Sequence, residues 1–306
     1  MTAPIAVSIE QVTKRFGAHV AVNNLTLQVP EGSIYGFIGP NGSGKTTTMR
    51  MIMRIIAPDE GHLKVLGEEN LQAAHDNVSY LPEERGLYRQ MKVNDLLKFF
   101  AAMKNKPADN NKIQSWLDRM GLSEWGNKRV QTLSKGMAQK VQFIGTIISE
   151  PKLVLLDEPF SGLDPVNAVV LRDAVLELRK NGTTVIFSTH DMSVAEKMCD
   201  AIFMIYKGNK VLDGTLNSIQ DQYGSDTIRV RGQQLNLHQL PGVTNVDNHG
   251  NFQELRLTKD ADTTRILQQI SQQGRLEHFD ITRPSLQDIF MRIVGKDALE
   301  TEQVGA

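Results

Sequence analysis

From about residue 7 to residue 212, short runs of aliphatic and β-branched residues alternate with stretches whose apolar positions recur every three or four residues. A period of two that gives way repeatedly to a period of 3.6 marks an α/β layered domain. The pattern predicts strands at 7–12, 25–29, 33–38, 78–81, 153–157, 184–188 and 201–206. It predicts helices at 45–56, 93–103, 111–120, 135–149, 165–180 and 192–198. The three helices between 93 and 149 follow one another without a strong strand, so they read as a helical insert over about residues 88–150. After Gly214 the chain turns rich in Gln, and residues 221–306 hold twelve acidic side chains against nine basic ones. Strands are expected there at 227–231, 254–257 and 276–281, and helices at 263–272 and 284–294. The division drawn from this shift is one domain over 1–220 and a small α+β accessory domain over 221–306, with a loose end from about Gly295.

No apolar run approaches the roughly 18 residues that suggest a membrane span. The run at 152–156 ends in acids, and the one at 49–56 is broken by Arg50 and Arg54. The first seven residues lack the basic-then-apolar order of a secretory leader. A cytoplasmic protein is expected, with any membrane role carried through a partner. Lys and Arg total 34 against 35 Asp and Glu in 306 residues, which removes the electrostatic case for a nucleic-acid partner. The single cysteine, Cys199, excludes an internal disulfide framework, and no Cys/His spacing suits a metal.

The chemistry is concentrated in three places. Gly39, Pro40, Asn41, Gly42, Ser43, Gly44, Lys45 and Thr46, followed by Thr47, form a full G-x-x-x-x-G-K-[ST] match between a predicted strand and a predicted helix. Glycines let successive backbone N–H groups converge on phosphate oxygens, and the helix N-terminus adds a favourable dipole. Lys45 is expected to reach the β- and γ-phosphates and Thr46 to offer its hydroxyl to Mg²⁺. The run at 153–158 ends in Asp157 and Glu158, carboxylates at the C-terminal edge of a buried strand, where ligands gather in open α/β sheets. Asp157 suits the residue that holds Mg²⁺ opposite Thr46, and Glu158 is placed to polarise an attacking water; a helix cap before Pro159 is the alternative. His190, just past a β-rich run, could donate a hydrogen bond to a γ-phosphate oxygen, or could be structural.

The order of further motifs completes a resemblance. Leu133-Ser-Lys-Gly-Met137 precedes the Asp157-Glu158 strand, Ser161-Gly-Leu-Asp164 follows it, and His190 comes later. With Gly39–Thr46, this resembles the nucleotide-binding subunit of an ABC transporter over residues 5–215. The resemblance implies a P-loop NTPase cassette with a mixed sheet and helical insert, ATP and Mg²⁺ as ligands, and ATP hydrolysis that drives export through a separate membrane permease. It also implies a head-to-tail pair of cassettes, most simply a homodimer, held peripherally on the inner face of the cell membrane. In such a pair Ser134 and the N–H of Gly136 face the γ-phosphate bound by the partner copy's loop, and Asp164 falls in the loop that links the two sites. Phe16 stands where the family stacks an aromatic on adenine, with core packing as the competing reading.

Two departures from the family stand out. Lys135 and Met137 replace the third and fifth residues of the usual Leu-Ser-Gly-Gly-Gln. In Tyr80-Leu-Pro-Glu-Glu-Arg-Gly-Leu-Tyr88, Glu83 takes the place of a glutamine that touches Mg²⁺ and water; a carboxylate still ligates Mg²⁺ but loses the amide donor. These variants and the tail around 284–294 resemble a subgroup of bacterial exporter ATPases that includes sodium-efflux types. Two other classes fit less well. A soluble ABC-type ATPase of ribosomes or DNA usually has two cassettes or long arms. A GTPase needs N-K-x-D, and Asn209-Lys210-Val-Leu-Asp213 has one residue too many and reads as a β-turn between strands.

Overall fold

The computed structural model describes residues 4–69, 75–84, 86–223, 227–233, 235–258 and 260–304; the first three residues and Arg85, touched on by the sequence reading, lie outside these. The chain divides into two compact units, Met1–Thr215 and Leu216–Ala306.

The first unit carries two sheets. In the smaller, antiparallel one, β1 (Ile5–Phe16) lies between β2 (His19–Pro30) and β4 (Glu60–Val65). The larger contains β3 (Ile34–Ile38), β5 (Val78–Leu81), β6 (Leu153–Asp157), β7 (Thr184–Thr189), β8 (Ala201–Tyr206) and β9 (Asn209–Gly214), in the order β5-β6-β7-β3-β8-β9. Its neighbours are parallel except β8 and β9. Every residue of β3, β6 and β7 is buried, as expected for parallel strands covered on both faces. On one side, Val7, Ile9, Leu25 and Leu27 of the antiparallel sheet pack with Phe37, Met49, Ile186 and Phe203. Another core joins Leu156, Val185 and Phe187 to the helical insert through Leu96, Leu97, Ile113, Leu117, Phe143 and Ile144. The insert is α2 (Val93–Met103), α3 (Asn110–Arg119) and α4 (Lys135–Ile147). The remaining helices of this unit are α1 (Lys45–Ile52), α5 (Pro165–Lys180) and α6 (Met192–Met198).

Several expectations are corrected. β1 and β2 run twelve residues each, well beyond the expected spans, and β4 was not expected. Left-handed residues at Gln11 and Asn24 and register shifts along the β1–β2 pair break the two-residue alternation that signals a strand. Helix α1 stops at Ile52 rather than 56, because Arg54 turns left-handed and its guanidinium bonds the Leu63 and Glu69 carbonyls. Asn209–Asp213 is not a turn: it belongs to strand β9, and the reversal falls at Lys207-Gly208, both with positive φ.

The second unit holds α7 (Leu216–Tyr223), a four-stranded antiparallel sheet, α8 (Thr263–Gln273) and α9 (Leu286–Val304). Its sheet follows the order β11-β12-β10-β13, from β10 (Thr227–Gln233), β11 (Val243–Asn248), β12 (Gln253–Leu257) and β13 (Arg275–Thr282). Ile228, Val230, Leu255, Ile266 and Ile270 form its own core. The division falls ahead of the 220/221 boundary read from composition because α7 is tied to this unit: Gln220 donates to the Pro284 carbonyl at 2.9 Å and Asp221 pairs with Arg283 at 3.2 Å. Helix α9 starts after Pro284 because Ser285 and Asp288 cap one another's backbone N–H groups. It continues past Gly295, where a loose end was expected, to Val304.

Candidate functional site

Strands β6, β7 and β3 are neighbours, so their C-terminal ends bring three segments to one edge of the sheet: Asp157-Glu158, His190 and the glycine loop. The loop leaves β3 and wraps onto the N-terminus of α1. Two of its glycines are required by space as well as by conformation. Gly39 has φ 156°, and a Cβ there would lie 2.2 Å from the Ile205 carbonyl oxygen. Gly44, the residue before α1, has φ 113°, and a Cβ would lie 2.5 Å from the Ala21 carbonyl oxygen. The loop is thus pressed against β2 and β8 and leaves its outer side to a ligand.

Lys45 is buried, and its ammonium donates to the loop's own carbonyls, Gly39 O at 2.6 Å and Pro40 O at 3.1 Å. Burial lowers its pKa, and the charges of Glu158, Asp157 and Glu83 push it back up. The net shift is downward, because burial outweighs the pull of the three carboxylates.

Asp157 is almost fully buried and its two oxygens are held differently. Oδ1 receives the Ser188 hydroxyl at 2.5 Å and the Thr46 hydroxyl at 3.2 Å; Oδ2 receives the Tyr80 hydroxyl at 3.1 Å. Ser188 lies opposite Asp157 in the β6–β7 register, and its oxygen also accepts the Glu158 N–H at 2.9 Å. Glu158 has a φ of 49°, a strained value for a non-glycine residue that aims its side chain back over the loop. Only 9% of it is exposed. Oε2 lies 3.1 Å from His190 Nδ1, and Oε1 lies 3.7 Å from Lys45 Nζ with no hydrogen-bond partner of its own. An unsatisfied, buried carboxylate oxygen is costly unless a ligand or water completes it.

A cavity of about 320 Å³ collects Phe16, His19, Asn41, Gly42, Ser43, Gly44, Lys45, Thr46, Thr47, Glu83 and Glu158 on its wall. Phe16 is 51% exposed at the cavity mouth, which rules out the core-packing reading of that side chain. Ser134, Gly136 and Asp164 do not line this cavity. Ser134 caps α4 by accepting the Met137 N–H, and Asp164 caps α5 by accepting the N–H groups of Val166 and Asn167. Lys135, the departure from the usual signature, lines a different cavity together with Glu83, Glu84, Gln139, Glu158 and Ser161. The sequence reading missed two contacts, those of Ser188 and Tyr80 with Asp157. For Ser188 a signal existed, a hydroxyl directly after the apolar run at 185–187, at the C-terminal end of its strand.

The donors suit a triphosphate and a hard divalent cation. Thr46, Asp157 and Glu158 offer oxygen only, as Mg²⁺ prefers, and the orphaned Glu158 Oε1 marks a place where a polar ligand belongs. Glycine loop, buried ammonium and paired carboxylates at adjoining strand ends define a P-loop nucleoside triphosphatase.

Comparison with known proteins narrows this class. Residues 22–161 match the family described as ABC transporter, and residues 214–294 match the C-terminal domain described as ATP-binding protein DrrA1-3-like. An uncharacterized ABC transporter ATP-binding protein of Bacillus subtilis, YhaQ, is 36% identical over 294 residues, which span 94% of this chain and 98% of that protein. The Nod factor export ATP-binding protein I of Rhizobium leguminosarum is 28% identical over 96% of both chains. A solved ATP-binding subunit of an ABC transporter superposes with a TM-score of 0.66 and 27% identity, across 72% of this chain and 93% of that one. The chain belongs to the ABC transporter ATP-binding subunits, a family of cassettes that hydrolyse ATP to drive transport and work with membrane permease subunits. No helix among the described residues is long and apolar enough to cross a membrane.

Proposed function

We propose that this chain powers export through a separate membrane permease, as one of two identical cassettes that close on ATP and Mg²⁺ and open after hydrolysis. The observation that carries the reading is Glu158: a buried carboxylate in a strained backbone, one oxygen toward His190 and the other unsatisfied in the nucleotide cavity. Such a group can take a proton from water held against the terminal phosphate. His190 fixes the carboxylate's rotamer through its Nδ1 contact, and with a proton on both ring nitrogens it can also donate from Nε2 to a phosphate oxygen. Lys45 leaves the Gly39 and Pro40 carbonyls for the β- and γ-phosphates, and the loop amides bind the rest of the chain of phosphates. Phe16 offers its exposed face to the base. Thr46 and Asp157, with Glu83 at the cavity wall, would hold Mg²⁺, which when bound offsets the negative charge of the β- and γ-oxygens.

The placement of Ser134, Gly136 and Asp164 away from this cavity supports the paired reading. Ser134 and Gly136 sit at the N-terminus of α4, a surface suited to the triphosphate held by a second copy. Permease docking is favoured on the face of the insert, where Tyr88 and Met103 are exposed and a groove of about 440 Å³ runs between α2, α4 and the segment after β5. Export is supported by the Nod factor relative and by the DrrA-like second unit. The permease would hold the chain at the inner face of the cell membrane.

Glu158→Gln keeps the side-chain shape and removes the base. In the presence of ATP and Mg²⁺ the variant should hydrolyse at least 100-fold more slowly, the lower range for loss of general-base catalysis. It should also run as a dimer by light scattering, and revert to monomer when EDTA is added. Hydrolysis at the parental rate would remove Glu158 from its role, and a monomer under loaded conditions would remove the closure.

A further inference from the structure

Tyr80 lies at the boundary between the groove and the nucleotide site. It stands on β5 opposite Leu155 of β6, and its ring forms part of the groove beside Pro82, Leu87, Phe100 and Met103. Its hydroxyl lies 3.1 Å from Asp157 Oδ2, the oxygen that neither Thr46 nor Ser188 occupies. The charge of Arg50, on α1, also acts on this hydroxyl. A carboxylate can only accept, so the phenol sends its own proton to Asp157.

We propose that Tyr80 is a positioning residue for Asp157: its O–H holds Oδ2 and thereby presents Oδ1 to Thr46 and the Mg²⁺ site in one fixed orientation. The proposal rests on the reading of Thr46 and Asp157 as metal-facing oxygens. Ser188 and Thr46 grip one oxygen only, and a carboxylate held at one oxygen can still swing about its Cβ–Cγ bond. The contact from Tyr80 stops that swing. Outer partners of this kind tune the affinity of a metal ligand without touching the metal. The competing role is packing alone, since the ring is half-buried among apolar groove residues. Tyr80→Phe separates the two, because it keeps the ring and deletes the hydroxyl.

The test uses the full chain and its Tyr80→Phe, Asp157→Asn and doubly substituted variants. Mn²⁺ binding in the presence of a non-hydrolysable ATP analogue is read by electron paramagnetic resonance. Analogue affinity in EDTA and the melting temperature are measured alongside. Tyr80→Phe should weaken Mn²⁺ about tenfold, the low end for loss of an outer partner. Metal-free analogue affinity should stay at the parental value, and the melting transition, lowered by the lost hydrogen bond, should remain cooperative. The Mg²⁺ concentration for half-maximal hydrolysis should rise by the same factor, with the KM for ATP unchanged at saturating Mg²⁺, and the double variant should bind Mn²⁺ no more weakly than Asp157→Asn alone. Parental Mn²⁺ affinity in Tyr80→Phe, or an equal fall in metal-free affinity, overturns the positioning role while Asp157 keeps its own. Parental Mn²⁺ affinity in Asp157→Asn removes the ligand assignment beneath it, and the proposal with it.

Discussion

Asp157 and Glu158 are consecutive carboxylates with opposite surroundings, and Ser188 is the group that keeps them apart. Its hydroxyl gives its proton to Asp157 and accepts the N–H of Glu158, so one side chain anchors the acceptor-rich residue and the left-handed turn that follows it. Both oxygens of Asp157 accept hydrogen bonds, whereas Glu158 keeps one oxygen without a hydrogen-bond partner. Ser188→Ala should leave ATP binding intact, because no loop contact is lost, and lower kcat about tenfold through looser carboxylate geometry. Steady-state kinetics with a parallel measurement of nucleotide affinity checks both halves. An equal loss in affinity and rate would place Ser188 in binding instead.

At the scale of elements, the loop between β3 and α1 is shaped by its neighbours as much as by its glycines. Gly39→Ala forces a methyl group against the Ile205 carbonyl, and the backbone there is already in a region that side chains rarely adopt. Chemical denaturation should show a loss of about 2 kcal/mol or more, with nucleotide binding falling in step. The motif itself was legible from the chain alone, as were β3, β6 and β7, because buried parallel strands read as unbroken apolar runs. The antiparallel sheet was only half legible. Bulges beside Gln11 and Asn24 shift side chains out of phase, and β4 has just Leu63 and Val65 buried among polar neighbours. The partners of Asp157 escaped for a different reason. Tyr80 and Ser188 reach it from separate strands, and the pairing of β5, β6 and β7 is a property of the sheet, which no local pattern of residues reveals.

At the scale of the molecule, each unit has a core of its own. Every residue assigned to nucleotide chemistry, from Phe16 to His190, lies within Met1–Thr215. A chain ended at Thr215 should therefore fold and bind a fluorescent ATP analogue with parental affinity, as titration by anisotropy would show. A weakened affinity would assign the second unit a part in shaping the site.

The position of Lys45 has one more consequence. Its ammonium already has two carbonyl companions in the bare loop, so a departing phosphate does not leave a stranded buried cation behind. On the proposed binding mode, loss of the terminal phosphate lets the lysine return to the Gly39 and Pro40 carbonyls, contacts the fold already provides.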